Sequence, residues 1–346
     1  MPITAAEAVG RGRQNVESFD QDHCCGRMPA GAGSGRSVPS RSGDAHAHYQ
    51  LADVFTAEPF GGNPLALFAD ASAIPDAWLQ PIAAELNLSE TAFAYPLGDA
   101  EWRLRIFTPT MEHPFAGHPT IGSALLLAER DQLTSLTLHE KVGPVAITID
   151  RPTGRPPIAR LAVPMDPEEQ PVAIRHDEIA AMLSLAPEQV ERGPLQPRAM
   201  SCGVPFLFIR VADRNALRGA RLNKDRWQAL LADCWAPHVY VYSAEPSPAG
   251  EHRIDARMFA PLMGIDEDPA TGGAAAALAG VLAAQQPGRM GEACWIIAQG
   301  VDMGRPSRLE LTAEVAAGRA TRIRVGGSAV AMGRGSLDLT SMEEGR

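Results

Sequence analysis

The sequence has few cysteines and lacks any long apolar run. Five cysteines in 346 residues are too few for a disulfide framework in a chain of this size, so reduced thiols are expected. The longest apolar stretch, residues 274–284, is roughly half as long as the ~20 residues that cross a bilayer. The N-terminus also lacks the basic segment, apolar run and small-residue cleavage site of a secretion signal. We therefore predict a cytoplasmic protein that does not associate with membranes.

Positive charge is also scarce. The chain has 41 acidic and 31 basic residues, which gives a formal net charge of -10 at pH 7. Phosphate backbones and anionic membrane surfaces repel a protein with this balance. Nucleic acid is therefore not an expected partner. The 45% of hydrophobic residues can supply the cores of two globular domains.

No motif predicts a metal site. Cys24 and Cys25 are adjacent, but they have no partner ligands at the spacing that zinc sites use. His113 and His118 form another close pair, again without a suitably spaced third ligand. We therefore expect neither a metal nor another cofactor.

The chain divides into four segments by composition and pattern. Residues 1–46 have few large apolar side chains among Gly, Ser, Arg and Pro, and are predicted to be a disordered extension. Strand-like runs, separated by Gly, Pro and Asp, dominate the rest. We place a first α/β half at residues 47–165, a second α/β half at 166–336 and a tail at 337–346.

A short repeat supports the division into halves. The heptapeptide RIFTPTM at Arg105–Met111 recurs as RMFAPLM at Arg257–Met263. Each copy precedes a glycine-containing turn and an apolar helix, in AGHPTIGSALLLAER and ATGGAAAALAGVLAAQ respectively. Both helices are apolar on nearly every side, which indicates that each is enclosed by its own sheet. The methionines of the repeat are interpreted as core residues.

The starts of these helices are candidate anion sites. Pro119 suits the first helical position, and Gly272 and Gly273 would let a ligand approach the backbone closely. Unpaired N–H groups and the helix dipole attract negative charge at each start. If the halves are related by a two-fold axis, one small carboxylate can bind between them. A plain strand-to-helix turn is the alternative for either glycine segment alone.

Glu90 is the candidate proton-transferring residue. It lies in LSETAFAY, whose period-two pattern places it on a strand face with Leu88 and Ala92. Burial there would raise the pKa of the carboxyl group towards neutrality, which suits a base that moves a proton between carbons. The alternative is a strand-end glutamate that reaches solvent.

Several long segments resemble one known family. DVFTAEPFGGNPLALF, NLSETAF, RIFTPTMEHPFAGHPTIGSA and RMFAPLMGIDEDPATGG are similar to segments of the phenazine-biosynthesis isomerases, which have the diaminopimelate epimerase fold. The likeness extends from about residue 49 to 333. It implies an α/β (α+β) protein of two pseudo-symmetric halves, each a mixed curled β-sheet around a central apolar helix. It also implies a cofactor-independent enzyme and a homodimer.

The resemblance assigns roles to individual residues. Glu90 in SET matches the family's catalytic acid/base, and His118 in AGHPT and Asp268 in EDPATG match polar residues of its pocket. His118 could otherwise be a packing histidine, and Asp268 could also cap the next helix. Substrate binding is assigned to Asn63, Gly117, Gly272 and Gly273. This chain has Gly273 where family members typically have Ser, which removes a hydroxyl group from the pocket.

Three functions compete at this stage. The first is isomerisation of a small cyclic or amino carboxylic acid, which is then the expected partner. The second is a small-carboxylate binding or interaction protein with little turnover, which the missing hydroxyl at Gly273 leaves open. The third is a racemase or epimerase with two opposed thiols, which is poorly supported because neither helix turn contains a cysteine.

Overall fold

Apolar runs bounded by Gly, Pro and Asp form strands, and the two long runs of small apolar residues form buried helices. The structure is a computed structural model that describes residues 46–129, 131–244 and 252–340. Its helices are α1 (Asp76–Leu86), α2 (Gly117–Glu129), α3 (His176–Met182), α4 (Arg214–Gly219), α5 (Lys224–Leu231) and α6 (Gly272–Ala284). Its strands are β1 (His46–Val54), β2 (Asn63–Phe68), β3 (Glu90–Gly98), β4 (Glu101–Phe107), β5 (Glu112–His113), β6 (Ser135–Glu140), β7 (Gly143–Asp150), β8 (Ile158–Ala162), β9 (Glu168–Gln170), β10 (Arg198–Ser201), β11 (Pro205–Arg210), β12 (His238–Ala244), β13 (His252–Ala260), β14 (Ile265–Asp268), β15 (Gly291–Gln299), β16 (Ser307–Ala316), β17 (Arg319–Gly327) and β18 (Ala329–Asp338).

The two halves repeat one arrangement of strands. In the first half β1 is antiparallel to β2, and β2 is parallel to β3. Strand β4 is antiparallel to β3 and β5 and parallel to β6, after which β6, β7 and β8 are antiparallel neighbours. Strands β10 to β17 repeat each of these pairings in the same order. The predicted pseudo-symmetric pair of mixed sheets is therefore confirmed.

Strands in equivalent places join the two halves. Strand β8 pairs antiparallel with its counterpart β17. The strand that follows each of them crosses to the other half, so that β9 pairs with β10 and β18 pairs with β1. The described strands therefore form one continuous mixed sheet.

The three expected segment boundaries fall on described residues, and the first and last of them meet strands. Strand β1 begins at His46, the last residue of the expected N-terminal extension, whose other residues, 1–45, lie outside the described part. Strand β18 continues to Asp338, so the expected tail from residue 337 begins inside a strand. The strand extends this far because its pairing with β1 continues until Asp338 is opposite His46.

Helices α2 and α6 lie inside the curved sheet, as their apolar sequences predict. Helix α2 contacts β1, β2, β3, β6, β7 and β8, and α6 contacts β10, β11, β16 and β17. The small side chains of α6 allow this close enclosure. A Cβ atom at Gly280, for example, would lie 2.7 Å from Cβ of Pro167. Enclosure on all sides fixes the position of each helix start.

The sequence repeat corresponds to a repeated arginine clamp. Arg105 of β4 makes two hydrogen bonds to Glu112 of β5, over 2.8 and 3.0 Å. Arg257 of β13 does the same with Glu267 of β14, over 2.8 and 2.7 Å. Paired, two-bond arginine contacts of this kind restrict orientation as well as distance. Each clamp therefore fixes a short strand immediately before a buried helix.

Some local predictions were wrong. Helices α4 and α5 were not identified from the sequence. Met111 is 55% exposed and is not a core residue, whereas Met263 packs against the core. Helix α2 begins at Gly117, two residues before Pro119.

No helix in the described part of the chain is long and apolar enough to cross a membrane.

Candidate active site

The starts of α2 and α6 meet each other. A Cβ atom on Gly117 would lie 2.8 Å from Cα of Gly272, and one on Gly272 would lie 3.0 Å from Cα of Gly117. Any side chain at either residue would therefore push the helices apart. The sequence interpretation assigned the missing side chain at Gly272 to the approach of a ligand. The structure gives a different reason, because the backbone of Gly117 occupies that space.

A cavity of about 220 Å³ opens beside the two helix starts. The carboxyl, imidazole and hydroxyl side chains in its wall are Glu90, His113, His118, Asp268 and Thr271. No lysine or arginine in the described part of the chain lines this cavity, so an anion bound here would depend on the N–H groups and dipoles of the helix starts. Within the described ranges, no group of three or more His, Cys, Asp or Glu side chains is suited to holding a metal ion.

Glu90 is the first residue of β3 and lies at the cavity with 13% of its side chain exposed. Burial, followed by the charge of Asp268, raises the pKa of Glu90 to about 8. A carboxyl group with this pKa populates both its protonated and its ionised form near neutral pH. Such a group can take up a proton and return it.

His118, in the first turn of α2, is the immediate neighbour of Glu90. Its Nδ1 atom lies 3.2 Å from Oε2 of Glu90, and the imidazole is buried. Burial lowers the pKa of His118 to about 3, partly offset by the backbone of Pro64, so the ring is neutral at physiological pH. Depending on its tautomer, a neutral imidazole accepts a hydrogen bond from protonated Glu90 or donates one to ionised Glu90.

Asp268, the last residue of β14, brings a second carboxyl group from the other half. Asn63 donates a hydrogen bond to its Oδ1 over 2.8 Å, and the Thr271 hydroxyl donates one to its Oδ2. Burial raises the pKa of Asp268 to about 6, although these two hydrogen bonds lower it. The group is therefore largely ionised at neutral pH, and its charge acts on Glu90.

Asn63 holds the Asp268 carboxylate by a hydrogen bond but is not among the cavity-lining residues. Its fully buried amide also donates to the carbonyl oxygen of Ala270 over 3.1 Å. The Ser89 hydroxyl donates to Oδ1 of Asn63 over 2.7 Å, which sets the direction in which the amide points. The structure thus places Asn63 as a support for Asp268, whereas the sequence interpretation placed it among substrate-binding residues.

Gln299 is a site residue that the sequence analysis did not identify. It ends β15, is fully buried, and donates to the Asp268 carbonyl oxygen over 2.8 Å and to Oγ1 of Thr271 over 3.0 Å. The Tyr240 hydroxyl donates to Oε1 of Gln299 over 3.2 Å. These bonds hold the turn between Asp268 and α6. The sequence signal for Gln299 was its place as a polar residue at the end of an apolar strand. Its hydrogen-bond partners become evident only from the pairing of the strands.

Glu140 occupies in the first half the place of Gln299 in the second, as the register of β6 and β15 shows. The Thr120 hydroxyl lies 2.7 Å from the carbonyl oxygen of Ala116 and 2.6 Å from Oε1 of Glu140. A hydroxyl group has one proton, so Glu140 must donate when Thr120 donates to Ala116. Burial raises the pKa of Glu140 to about 8, which favours this protonated form. A protonated Glu140 thus replaces the glutamine amide.

Gly273 and Cys202 are two further cavity-lining residues that distinguish between the candidate functions. Gly273 lines the cavity, and a Cβ atom there would meet no atom within 4 Å. Neither helix turn contains a cysteine, but the structure brings Cys202 to the cavity from elsewhere in the chain. Burial raises the pKa of the Cys202 thiol to about 12, so it is protonated and weakly nucleophilic. Among the described residues, Cys202 is the one cysteine that lines the cavity.

Comparison with solved structures defines the fold class. The phenazine biosynthesis protein of the PhzF family from Bacillus anthracis has a TM-score of 0.76 at 23% identity, covering 84% of this chain and 99% of that one. A hydroxyproline epimerase from Agrobacterium vitis has a TM-score of 0.54 at 13% identity, covering 85% and 93%. The fold is thus shared by PhzF proteins and amino-acid epimerases.

Sequence comparison identifies the family. The family described as phenazine biosynthesis-like protein matches residues 52–335. An uncharacterized isomerase of Mesorhizobium japonicum is 39% identical over 84% of this chain and 98% of its own length. Trans-2,3-dihydro-3-hydroxyanthranilate isomerase of Pseudomonas fluorescens is 33% identical over 84% and 99%. The chain belongs to the phenazine biosynthesis-like family and is an enzyme of the isomerase class.

Proposed function

We propose that this protein is a cofactor-independent isomerase of a small carboxylic acid, in which Glu90 moves a proton between two carbon atoms. The observation that carries this proposal is the position of Glu90 at the cavity, next to the neutral imidazole of His118 and with a pKa of about 8. A single group that both removes and returns a proton works best with a pKa near the working pH.

The other site residues have supporting roles in this proposal. The substrate carboxylate binds at the starts of α2 and α6, where the backbone N–H groups and dipoles of both helices act on it. Glu90 in its ionised form takes a proton from one carbon and, once protonated, delivers it to another. His118 orients Glu90 in both states, because a neutral imidazole can accept or donate at Nδ1. The charge of Asp268 opposes ionisation of Glu90 and so makes its carboxylate a stronger base for removing the proton.

The relatives suggest where to look for the substrate. Curated relatives from Pseudomonas species are named for trans-2,3-dihydro-3-hydroxyanthranilate, a cyclic amino acid of this general class. Gly273, which removes a hydroxyl group from the wall, makes a different cyclic or amino carboxylate equally compatible with the site. Trans-2,3-dihydro-3-hydroxyanthranilate is therefore the first probe of activity.

Solvent exchange tests the proton transfer directly. The protein is incubated with trans-2,3-dihydro-3-hydroxyanthranilate in D₂O, and deuterium bound to carbon is measured by NMR. We expect Glu90→Gln to lower the rate of uptake by roughly a hundredfold to ten-thousandfold, because glutamine cannot carry the proton. The matched control is Glu101→Gln, which changes an exposed glutamate at the start of β4.

The same experiment separates the alternatives. Equal uptake in wild type and Glu90→Gln would show that Glu90 is not the shuttle. Binding without uptake in the wild type would favour the second candidate, a small-carboxylate binding protein, which the missing hydroxyl at Gly273 suggests. If this probe does not bind, the assay is repeated with carboxylates found by thermal shift, because a ligand of the native state raises its apparent stability.

A further inference from the structure

The two-fold relation gives each residue of the acidic site a counterpart. Relative to the repeated arginines, the strand register makes His238, the first residue of β12, the counterpart of Glu90, the first residue of β3. Asp268 and His113 are likewise equivalent, because each directly follows the glutamate of an arginine clamp and ends a short strand. The acidic pair therefore corresponds to a pair of histidines.

The third member of the acidic site has a glycine as its counterpart. His118 and Gly273 are each the second residue of a buried helix, and both line the cavity. In the acidic set the imidazole of His118 fills the space beside Glu90. In its image no atom lies within 4 Å of where a Cβ atom of Gly273 would be. The image of the acidic site is therefore open where the acidic site itself is filled.

The two histidines of this image are polar groups that the proposed proton transfer does not use. His113 is partly buried and lines the cavity. His238 is 5% exposed, its Nδ1 has no hydrogen-bond partner among the described residues, and its ring lies 5.7 Å from that of Phe206, another lining residue. Burial lowers the pKa of His113. Burial, followed by the charge of His113, lowers the pKa of His238 to about 4. Both rings are therefore neutral at physiological pH.

We propose that this image of the acidic site is a second substrate subsite, in which His113 hydrogen-bonds to an uncharged polar group of the substrate remote from Glu90. The inference rests on the proposed function, because that function places the reacting end of the substrate at Glu90. A neutral imidazole has one donor and one acceptor, so it suits a hydroxyl, carbonyl or amino group. The free space at Gly273, which lines the same cavity, admits the body of the substrate.

The chemistry of the wall narrows the substrate class further. Met165, Val204 and Phe206 line the same cavity and present apolar surface. No lysine or arginine of the described residues lines it, so a second carboxylate would lose its hydration without gaining a cation. The substrate class is therefore a monocarboxylate with an apolar body and one uncharged polar group, and dicarboxylates are excluded.

Binding of four matched aromatic carboxylates tests the subsite. Dissociation constants at pH 7.5 are measured by calorimetry for benzoate, for 3- and 4-hydroxybenzoate, and for isophthalate. In the wild type we expect at least one hydroxybenzoate to bind roughly three- to tenfold more tightly than benzoate, the effect of one neutral hydrogen bond. Isophthalate, which has a second carboxylate, should bind more weakly than benzoate.

Variants assign the effect to His113. His113→Leu should bind benzoate and the hydroxybenzoate equally, and His113→Gln, which keeps a donor and an acceptor, should recover part of the preference. His139→Leu, which changes a histidine that is 38% exposed, should retain it fully. Gly273→Leu, which fills the free space, should weaken binding of all the benzoates. Circular dichroism establishes that each variant is folded.

Several results would overturn the inference. They are the absence of a hydroxyl preference in the wild type, its persistence in His113→Leu, tighter binding of isophthalate, or no binding of any benzoate at millimolar concentration. The proposed function fails by a separate route, in deuterium uptake that Glu90→Gln does not change. If His113→Leu loses the preference for the hydroxybenzoate while Glu90→Gln does not change deuterium uptake, the subsite is supported and the role of Glu90 as proton shuttle is contradicted.

Discussion

At the scale of single residues, the charge of Asp268 sets the protonation of Glu90. Because that charge raises the pKa of Glu90, Asp268→Asn should lower it while preserving most of the hydrogen bonding to Asn63 and Thr271. The carbon-13 shift of the Glu90 carboxyl, followed through a pH titration, measures this change without a substrate. We expect the titration midpoint to move to lower pH.

A neighbouring aspartate supplies the control for this titration. Asp266 is two residues away, is 79% exposed and pairs with Lys224. Asp266→Asn should leave the midpoint of Glu90 unchanged, because solvent screens a charge at that position. An equal shift in both variants would mean that net charge, rather than the carboxylate of Asp268, acts on Glu90.

Residue-level prediction succeeded where the local sequence contains the signal. Glu90 lies in an apolar strand segment, and His118 and Asp268 lie at or just before the start of an apolar helix, so pattern and family motif both mark them. Gln299 carries no such mark. It reaches the Asp268 turn because β13 and β15 pair in parallel across an intervening helix, and sequence spacing does not specify that register.

At the scale of elements, the contact of the two helix starts determines which glycine is indispensable. In Gly117→Ala the new Cβ would lie 2.8 Å from Cα of Gly272, within the backbone of a rigidly held helix. Overpacking of this kind costs roughly 1–3 kcal/mol. Gly273→Ala introduces the same methyl group at the second residue of α6, where nothing lies within 4 Å of it.

These two variants form a matched pair. Urea unfolding should show a loss of stability in Gly117→Ala, while Gly273→Ala should be unchanged or up to about 1 kcal/mol more stable, because alanine favours a helix over glycine. Equal stability of the two variants would contradict close packing of the helix starts.

Elements were predicted well where their pattern is periodic or uniformly apolar. The sequence predicts a short amphipathic helix over residues 76–86 that ends at Asn87, and α1 has these bounds, with Asn87 in the left-handed conformation just after it. The strand-like runs SLTLHE and HVYVYSA form β6 and β12. Helix α5 was missed because its sequence, KDRWQALL, is short and half polar, with only Trp227 and Leu231 buried. Packing of those two side chains, rather than an extended pattern, stabilises it.

At the scale of the whole molecule, buried titratable groups give stability an unusual dependence on pH. Glu90 and Glu140 each have a pKa near 8 in the native state, above the ordinary value of 4.5, so the native state binds their protons more tightly than the unfolded state. Their contribution is complete below pH 4.5 and is lost as pH rises towards 8. The lowered pKa values of His118 and His238 act oppositely, since stability is lost as pH falls below 6.5.

We therefore expect stability to be greatest between about pH 5 and 6.5 and to fall between pH 6.5 and 8. The loss over that interval should reach up to about 2 kcal/mol for each glutamate, at 1.36 kcal/mol per pH unit. Urea unfolding at pH 6.5 and pH 8.0 measures it. Glu140→Gln, which keeps a donor to Thr120, should remove about half of the loss, whereas an unaltered slope would mean that Glu140 is ionised in the native state.

The crossing of β18 into the first half has a consequence for how the chain folds during synthesis. Strand β1 lies between β2 and β18, and β18 is the last strand of the described chain. Synthesis proceeds from the N-terminus, so the first half emerges from the ribosome long before the strand that covers β1 exists. Until then β1 is an open edge with unpaired N–H and C=O groups, able to pair with another nascent chain. The duplicated halves therefore cannot complete their folding one after the other, and the first must wait for the end of the second.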